Sequence, residues 1–152
     1  MMRFKLLFAC FVLLIFNGCK QCPKCFSPPE PFHLKLLNGK GENLLSNGRF
    51  TSDSITIYYI DNGNKQILNL VFSDFMNNGM TISSTDIPWL SASSTDKHYY
   101  LQPGKTMIDT LYIDVSMRHT DCCTYYTYDK VSFRDKTIPL VTSFATYELT
   151  IP

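Results

Sequence analysis

Short runs of alternating apolar and polar residues, separated by turn-forming pairs, restrict the fold of this chain more than any other feature. Within residues 54–60, Ile55, Ile57 and Tyr59 fall on one side of an extended strand. The segment that follows, Asp61 to Asn64, contains the Asn-Gly pair typical of tight hairpins. This pattern predicts half-buried β-strands joined by short turns.

The composition also favours β-structure, because three Ala and three Glu stand against 14 Thr, 11 Phe and 9 Tyr. We predict a single antiparallel β-sandwich, immunoglobulin-like and of about seven to nine strands, over residues 32–152. No segment has a sustained helical period, and residues 73–78 are expected to form one helical turn at most. The predicted strands cover residues 32–37, 54–60, 66–72, 80–83, 98–102, 106–117, 125–133 and 145–151.

Residues 1–18 have the pattern of a secretory signal. Arg3 and Lys5 precede an uncharged apolar run from Leu6 to Phe16. As a helix this run would rise roughly 16 Å, about half the thickness of a hydrocarbon core of ~30 Å. A cleaved signal is therefore expected in preference to a permanent membrane span.

The end of this segment, Ile15-Phe16-Asn17-Gly18-Cys19, resembles the lipobox of bacterial lipoproteins. The resemblance implies a diacylglyceryl thioether on Cys19, and two or three acyl chains would hold the protein stably on a membrane. Phe16 and Asn17 stand where the family usually has Leu and a small residue. Cleavage by a conventional signal peptidase, which would release a soluble periplasmic protein, is the alternative.

Residues 19–31 form a predicted tether between the lipid and the domain. Four of the eight prolines lie here, and at ~3.1 Å per residue an extended segment would reach roughly 35 Å. Bacteroidetes lipoproteins exported to the cell surface usually have an acidic stretch after the lipidated cysteine, whereas Lys20 and Lys24 occur here. We therefore expect an outer-membrane protein of the cell envelope that faces the periplasm.

Four cysteines remain after the leader and Cys19 are set aside: Cys22, Cys25, Cys122 and Cys123. In an oxidising compartment they are expected to form two disulfides, with three possible pairings. We favour bonds from Cys22 and Cys25 to the adjacent pair, because a bond between neighbours would close a strained ring. Alternatively, Cys22-Pro23-Lys24-Cys25 resembles a glutaredoxin-type redox motif, which would make this a thiol-disulfide protein.

Adjacent tyrosines suggest a binding surface. Neighbours on a strand face opposite ways, so one member of each pair points away from the core. We consider Tyr58, Tyr100, Tyr126 and Tyr128 a possible stacking platform for a glycan or peptide. Cross-strand packing between aromatic residues is the alternative that we prefer.

The sequence contains no His-Glu-x-x-His pair, Gly-x-Ser-x-Gly elbow or phosphate-binding glycine loop. We therefore expect no catalytic residues, metal or cofactor. Without residues 1–18 the charge is 12 minus 13, or −1, and no nucleic-acid partner is expected. The expected role is a non-enzymatic binding or accessory module, attached to membrane lipid through Cys19, with envelope proteins or glycans as partners.

The leader, the tether, "SITIYYIDNGNK" at 54–65 and "DTLYIDV" at 109–115 together resemble small uncharacterised lipoproteins of Bacteroidetes. The resemblance implies an immunoglobulin- or fibronectin-like sandwich. Asp53-Ser54-Ile55 and Asp109-Thr110-Leu111 also match the O-glycosylation pattern of these bacteria. Ser54 and Thr110 are thus candidate glycan acceptors.

Overall fold

The computed structural model of the chain describes residues 25–120, 122–141 and 145–151. These residues are mostly β-structure and form two sheets that pack together. The strands are β1 (Cys25–Phe26), β2 (Phe32–Leu37), β3 (Ile55–Asp61), β4 (Asn64–Ile67), β5 (Val71–Asp74), β6 (Met80–Ser84), β7 (His98–Pro103), β8 (Asp109–His119), β9 (Cys123–Phe133), β10 (Lys136–Thr137), β11 (Leu140–Val141) and β12 (Thr146–Thr150). One α-helix, α1 (Asp86–Ser93), and 3-10 turns at Ser52–Ser54 and Phe75–Asn77 complete the described elements.

The larger sheet has the order β1-β9-β8-β7-β3-β4, with β10 also paired to β9, and the smaller sheet has the order β11-β12-β2-β6-β5. This agrees with the predicted all-β sandwich, but the expectation of purely antiparallel sheets is wrong. The pairs β1–β9 and β2–β12 are parallel. Consecutive strands joined by a tight turn must pair antiparallel. Both parallel pairs join strands far apart in sequence, so this constraint does not apply to them.

Alternation along the strands builds the core as the sequence predicts. Phe32, Leu34 and Leu36 of β2 are almost completely buried, and the residues between them are partly exposed. From the larger sheet, Leu111 and Ile113 of β8 are fully buried and belong to the same core cluster. The core therefore lies between the two sheets, and the other face of the larger sheet is left for polar side chains.

The predicted strand at residues 66–72 is two strands in different sheets. β4 pairs with β3 in the larger sheet, whereas β5 pairs with β6 in the smaller one. Between them the buried Leu68 donates its N–H to the Ile57 carbonyl at 2.9 Å. The residue types of this segment do not reveal such a crossing, because both halves have strand character.

The single helical turn expected within residues 73–78 is present as the 3-10 turn Phe75–Asn77, but helix α1 was not predicted. Its first turn is capped by the Ser84 hydroxyl, which accepts from the Asp86 and Ile87 N–H groups at 3.3 and 3.4 Å. Ile87 and Ser91 are fully buried. A helix of eight residues has little intrinsic stability, so tertiary contacts must hold it in place.

Ser91 attaches α1 to the larger sheet where β7 has not yet begun. The Ile113 N–H donates to the Lys97 carbonyl, so the backbone N–H and C=O groups of Ile113 face the side of β8 on which β7 lies. Beyond Lys97 the Ser91 hydroxyl takes the place of the missing strand. It donates to the Ile113 carbonyl at 2.7 Å and accepts from the Val115 N–H at 3.0 Å.

The predicted tether is not free throughout. Cys25–Phe26 forms the edge strand β1 of the larger sheet, contrary to the expectation that residues 19–31 stay outside the sheets. Two backbone bonds accompany it, from the Cys25 N–H to Cys122 and from the Ser27 N–H to Thr124, at 3.1 and 2.9 Å. The predicted signal at 1–18 and residues 19–24 lie outside the described residues.

Candidate functional site

The outward face of the larger sheet carries a row of aromatic and polar side chains. Tyr99 and Leu101 of β7 enter the core, so the intervening Tyr100 points outward. Residues directly paired across strands share a face. Tyr100 therefore lies beside Tyr58 of β3 and Thr110 of β8.

Tyr58 and Tyr100 stack, with ring centroids 5.1 Å apart and planes inclined by 19°. The Lys65 ammonium also lies over the Tyr58 ring, with its nitrogen 3.9 Å from the ring centroid. Only 9% of Tyr58 is exposed. It therefore supports the Tyr100 ring but presents little surface of its own to a ligand.

Beside Tyr100 the outward face forms a depression of about 790 Å³. Three of its lining side chains are aromatic: Tyr100, Tyr112 and His98. The His98 and Tyr112 rings meet edge to face at 5.4 Å, and the Lys130 ammonium lies 5.3 Å from the Tyr112 centroid. The other lining residues are Ile108, Asp109, Thr110, Ser132, Arg134 and Asp135.

An ion pair shapes one side of this depression. The Arg134 guanidinium donates twice to the Asp109 carboxylate, at 2.6 and 2.5 Å. Arg134 and Asp135 form the two-residue turn between β9 and β10, and both have positive φ, 45° and 63°. Such a turn suits the twist of a hairpin, and it holds the guanidinium over the start of β8.

The four tyrosines of the predicted platform do not share one face. Tyr126 and Tyr128 pack against the core, whereas Tyr58 and Tyr100 lie on the outward face. The Tyr128 hydroxyl donates to the Glu30 carbonyl at 2.7 Å, and burial raises the pKa of this phenol. A platform of all four residues is therefore wrong.

A β-bulge explains this division. Asp114 pairs with Lys130, but the next residue, Val115, pairs with Tyr128, so Asp129 is an extra residue in β9. A one-residue insertion exchanges the two faces of a strand beyond it. Without the bulge, Tyr126 and Tyr128 would point outward with Lys130.

Polar side chains hold the extra residue in place. The Asp129 carboxylate accepts from the Arg118 guanidinium at 2.8 Å, from the Thr127 hydroxyl at 3.0 Å, and from the Ser116 hydroxyl. These bonds, led by that from Ser116 and opposed by burial, lower the pKa of Asp129. The bulge thus has its own hydrogen-bonded support.

The predicted cysteine pairing is confirmed for one bond. Cys25 and Cys123 are paired in register across β1 and β9, with Cα atoms 4.5 Å apart, and form a disulfide across 98 residues. Cys122 is also disulfide-bonded. Cys22 lies outside the described residues, and Cys25 is not in the internal Cys22–Cys25 bond that an oxidised redox motif would contain.

The two candidate glycan acceptors occupy different surroundings. The Ser54 hydroxyl donates to the Thr51 carbonyl at 2.8 Å and accepts from the Thr51 N–H at 3.1 Å, so it serves the turn before β3. Thr110 lines the depression beside Tyr100. Cys19, the predicted lipidation site, lies outside the described residues.

Sequence reasoning did not connect His98, Tyr112, Lys130 and Arg134 with a binding site. They come from β7, β8, β9 and the following turn, and only strand pairing brings them together. Within the described ranges, no three His, Cys, Asp or Glu side chains are grouped so that they could hold a metal ion. The same residues include no helix long and apolar enough to cross a bilayer.

Comparison with known proteins adds no relative: no family model matches the chain, and neither the curated proteins nor the solved structures contain a match.

Proposed function

We propose that this protein is a lipid-anchored, non-enzymatic binding module of the bacterial cell envelope, and that it binds a glycan in the depression on the outward face of the larger sheet. The observation that carries the proposal is the lining of this depression. Tyr100 and Tyr112 supply aromatic surface, and hydroxyl, carboxylate and guanidinium groups surround them.

A sugar offers both kinds of surface that such a lining can recognise. The C–H face of a pyranose ring packs on an aromatic ring, and its hydroxyl groups exchange hydrogen bonds with polar side chains. Thr110 and Ser132 can donate or accept, while the Lys130 ammonium favours a sugar that carries a carboxylate. The mixture of ring faces and paired polar groups favours a saccharide over a purely apolar ligand.

The location and the finer fold class are parts of the same proposal. The lipobox-like sequence ending at Cys19 supports a lipid anchor, and the lysines that follow it support an outer-membrane protein facing the periplasm. The two packed sheets support an immunoglobulin-like relationship. The sequential β7-β8-β9 order and the parallel β2–β12 pair are the topological features to compare with those of immunoglobulin domains.

Binding to an array of neutral and acidic bacterial envelope glycans tests the proposal. Tyr112→Ala should weaken binding of any glycan that the unmodified protein retains by about tenfold or more, since stacking and buried contact are lost. Tyr125→Ala is the matched control, because Tyr125 is 38% exposed at the far end of β9. Equal loss in both variants, or no retained glycan, would refute glycan recognition at this site.

A further inference from the structure

A cluster of four apolar side chains, three exposed and one half-buried, lies at the edge of the sandwich where the described chain begins. Phe26 stacks on Trp89 with centroids 6.3 Å apart, and both contact Tyr126, at 6.2 and 5.2 Å. Met117 is paired with Tyr126 across β8 and β9. We call Phe26, Trp89, Met117 and Tyr126 the aromatic patch.

The aromatic patch is far more exposed than a core cluster. Phe26 is 59% exposed, Met117 50% and Trp89 44%. Four elements supply it, namely β1, helix α1 and the paired ends of β8 and β9. The disulfide from Cys25 and the docking of α1 through Ser91 hold these elements together, so the rings form a preassembled surface.

The segment between the proposed anchor and this surface is short. Only six peptide steps separate Cys19 from Cys25, and a fully extended chain of this length spans at most about 22 Å. The Cys25–Cys123 bond and β1 fix Cys25 to the domain next to Phe26. An acylated Cys19 therefore keeps the aromatic patch within reach of the lipid head groups.

We propose that the aromatic patch inserts into the interfacial region of the bilayer to which Cys19 is anchored; this inference rests on the proposed lipid anchor. Trp and Tyr are preferred at this depth because their rings are apolar and carry one polar group. Phe26 and Met117 add apolar surface for the acyl boundary. Lys20 and Lys24, in the connecting segment, complement anionic head groups.

Trp89 is the only tryptophan of the chain and reports directly on the patch. The acylated full chain is reconstituted into vesicles of zwitterionic and anionic phospholipids, with or without bromine on the acyl chains. Insertion predicts loss of most Trp89 emission with the brominated lipid and protection of the remainder from aqueous iodide. Emission that is unaffected by bromine and quenched by iodide would overturn the proposal.

Variants separate the patch from the anchor. Phe26→Ser and Met117→Ser should each reduce quenching by the brominated lipid. Ile67→Ser should not, although Ile67 is 68% exposed, because it lies on β4 at the opposite edge of the larger sheet. Intact mass measured on the same samples distinguishes the two failures: acylated protein without quenching overturns only the aromatic patch, whereas an unacylated Cys19 overturns both the anchor and this inference.

Discussion

Replacing Ser91 with Ala should destabilise the protein far more than the loss of one small side chain suggests. The Ser91 hydroxyl is fully buried and satisfies both the Ile113 carbonyl and the Val115 N–H. Alanine removes both hydrogen bonds and leaves two buried backbone groups without these partners. Each such group costs about 1 to 3 kcal/mol, so we expect the free energy of unfolding to fall by about 2 to 6 kcal/mol.

The same change should be visible on heating. For a domain of this size each kcal/mol corresponds to about 4 °C, which gives a decrease in Tm of about 8 to 24 °C. Urea unfolding followed by far-ultraviolet circular dichroism measures the free energy, and Trp89 fluorescence reports separately on α1. If α1 depends on this contact, the Trp89 transition should move at least as far as the signal from the strands.

Ser93→Ala is the matched control on the same helix. The Ser93 hydroxyl is exposed and bonds only within the helix, to the Trp89 carbonyl at 2.9 Å and the Leu90 carbonyl at 3.2 Å. Its removal should change the free energy of unfolding by no more than about 0.5 kcal/mol. A Ser91→Ala variant as stable as Ser93→Ala would refute the role of the buried hydroxyl as a substitute for the missing end of β7.

Three further predictions concern covalent, ionisable and turn residues. Replacing Cys25 and Cys123 by Ser should lower the free energy of unfolding by less than the ~4 to 5 kcal/mol of a 100-residue loop, because the neighbouring disulfide of Cys122 remains. Reduction of this variant with dithiothreitol should lower the urea midpoint further. An unchanged midpoint on reduction would contradict this. Burial, partly offset by Glu30, lowers the pKa of His33, so between that pKa and about 6.5 the unfolded chain binds more protons and stability falls as the pH drops. His33→Gln should flatten this slope in urea unfolding between pH 5 and 8, and equal slopes would exclude His33 as its source. Gly63 has φ of +80° in the β3–β4 turn, so Gly63→Ala should lower the free energy of unfolding, measured by thermal unfolding, by about 1 kcal/mol. Gly39→Ala, at an open position without positive φ, should lower it much less. Equal losses of stability would contradict the strain argument.

The local pattern was sufficient for most strands but not for their arrangement. β2, β3, β7 and β8 begin or end within a few residues of the prediction, because alternation is a property of neighbouring residues. The crossing between β4 and β5 was missed, since strand-forming residues have the same pattern whether the chain stays in one sheet or passes to the other. Helix α1 was missed for a related reason: two helical turns are too short to display a period, and Ser91 is buried there by a partner 22 residues away.

The candidate site shows the same division. Tyr100 was recognised as an outward residue from its own strand, but Tyr112, His98 and Lys130 join it only through the registers of three strands. Tyr126 and Tyr128 were placed on the wrong face because Asp129 adds one residue to β9. A bulge is defined by a mismatch with the partner strand, so the alternation within β9 alone does not reveal it.

The sequence alone was sufficient to recognise a β-protein, because alternation is visible in adjacent residues; the secretory leader and the lipobox-like Cys19 are predictions from the same kind of local pattern. Tertiary structure decided which tyrosines face outward, that Cys25 bonds Cys123, and that side chains from separate strands surround one depression. The physical reason is that faces, registers and disulfide partners depend on contacts between segments far apart in sequence, 98 residues for the Cys25–Cys123 bond and 113 for Lys35 and Glu148 in the β2–β12 pair. Alternation within one strand carries no information about its neighbour.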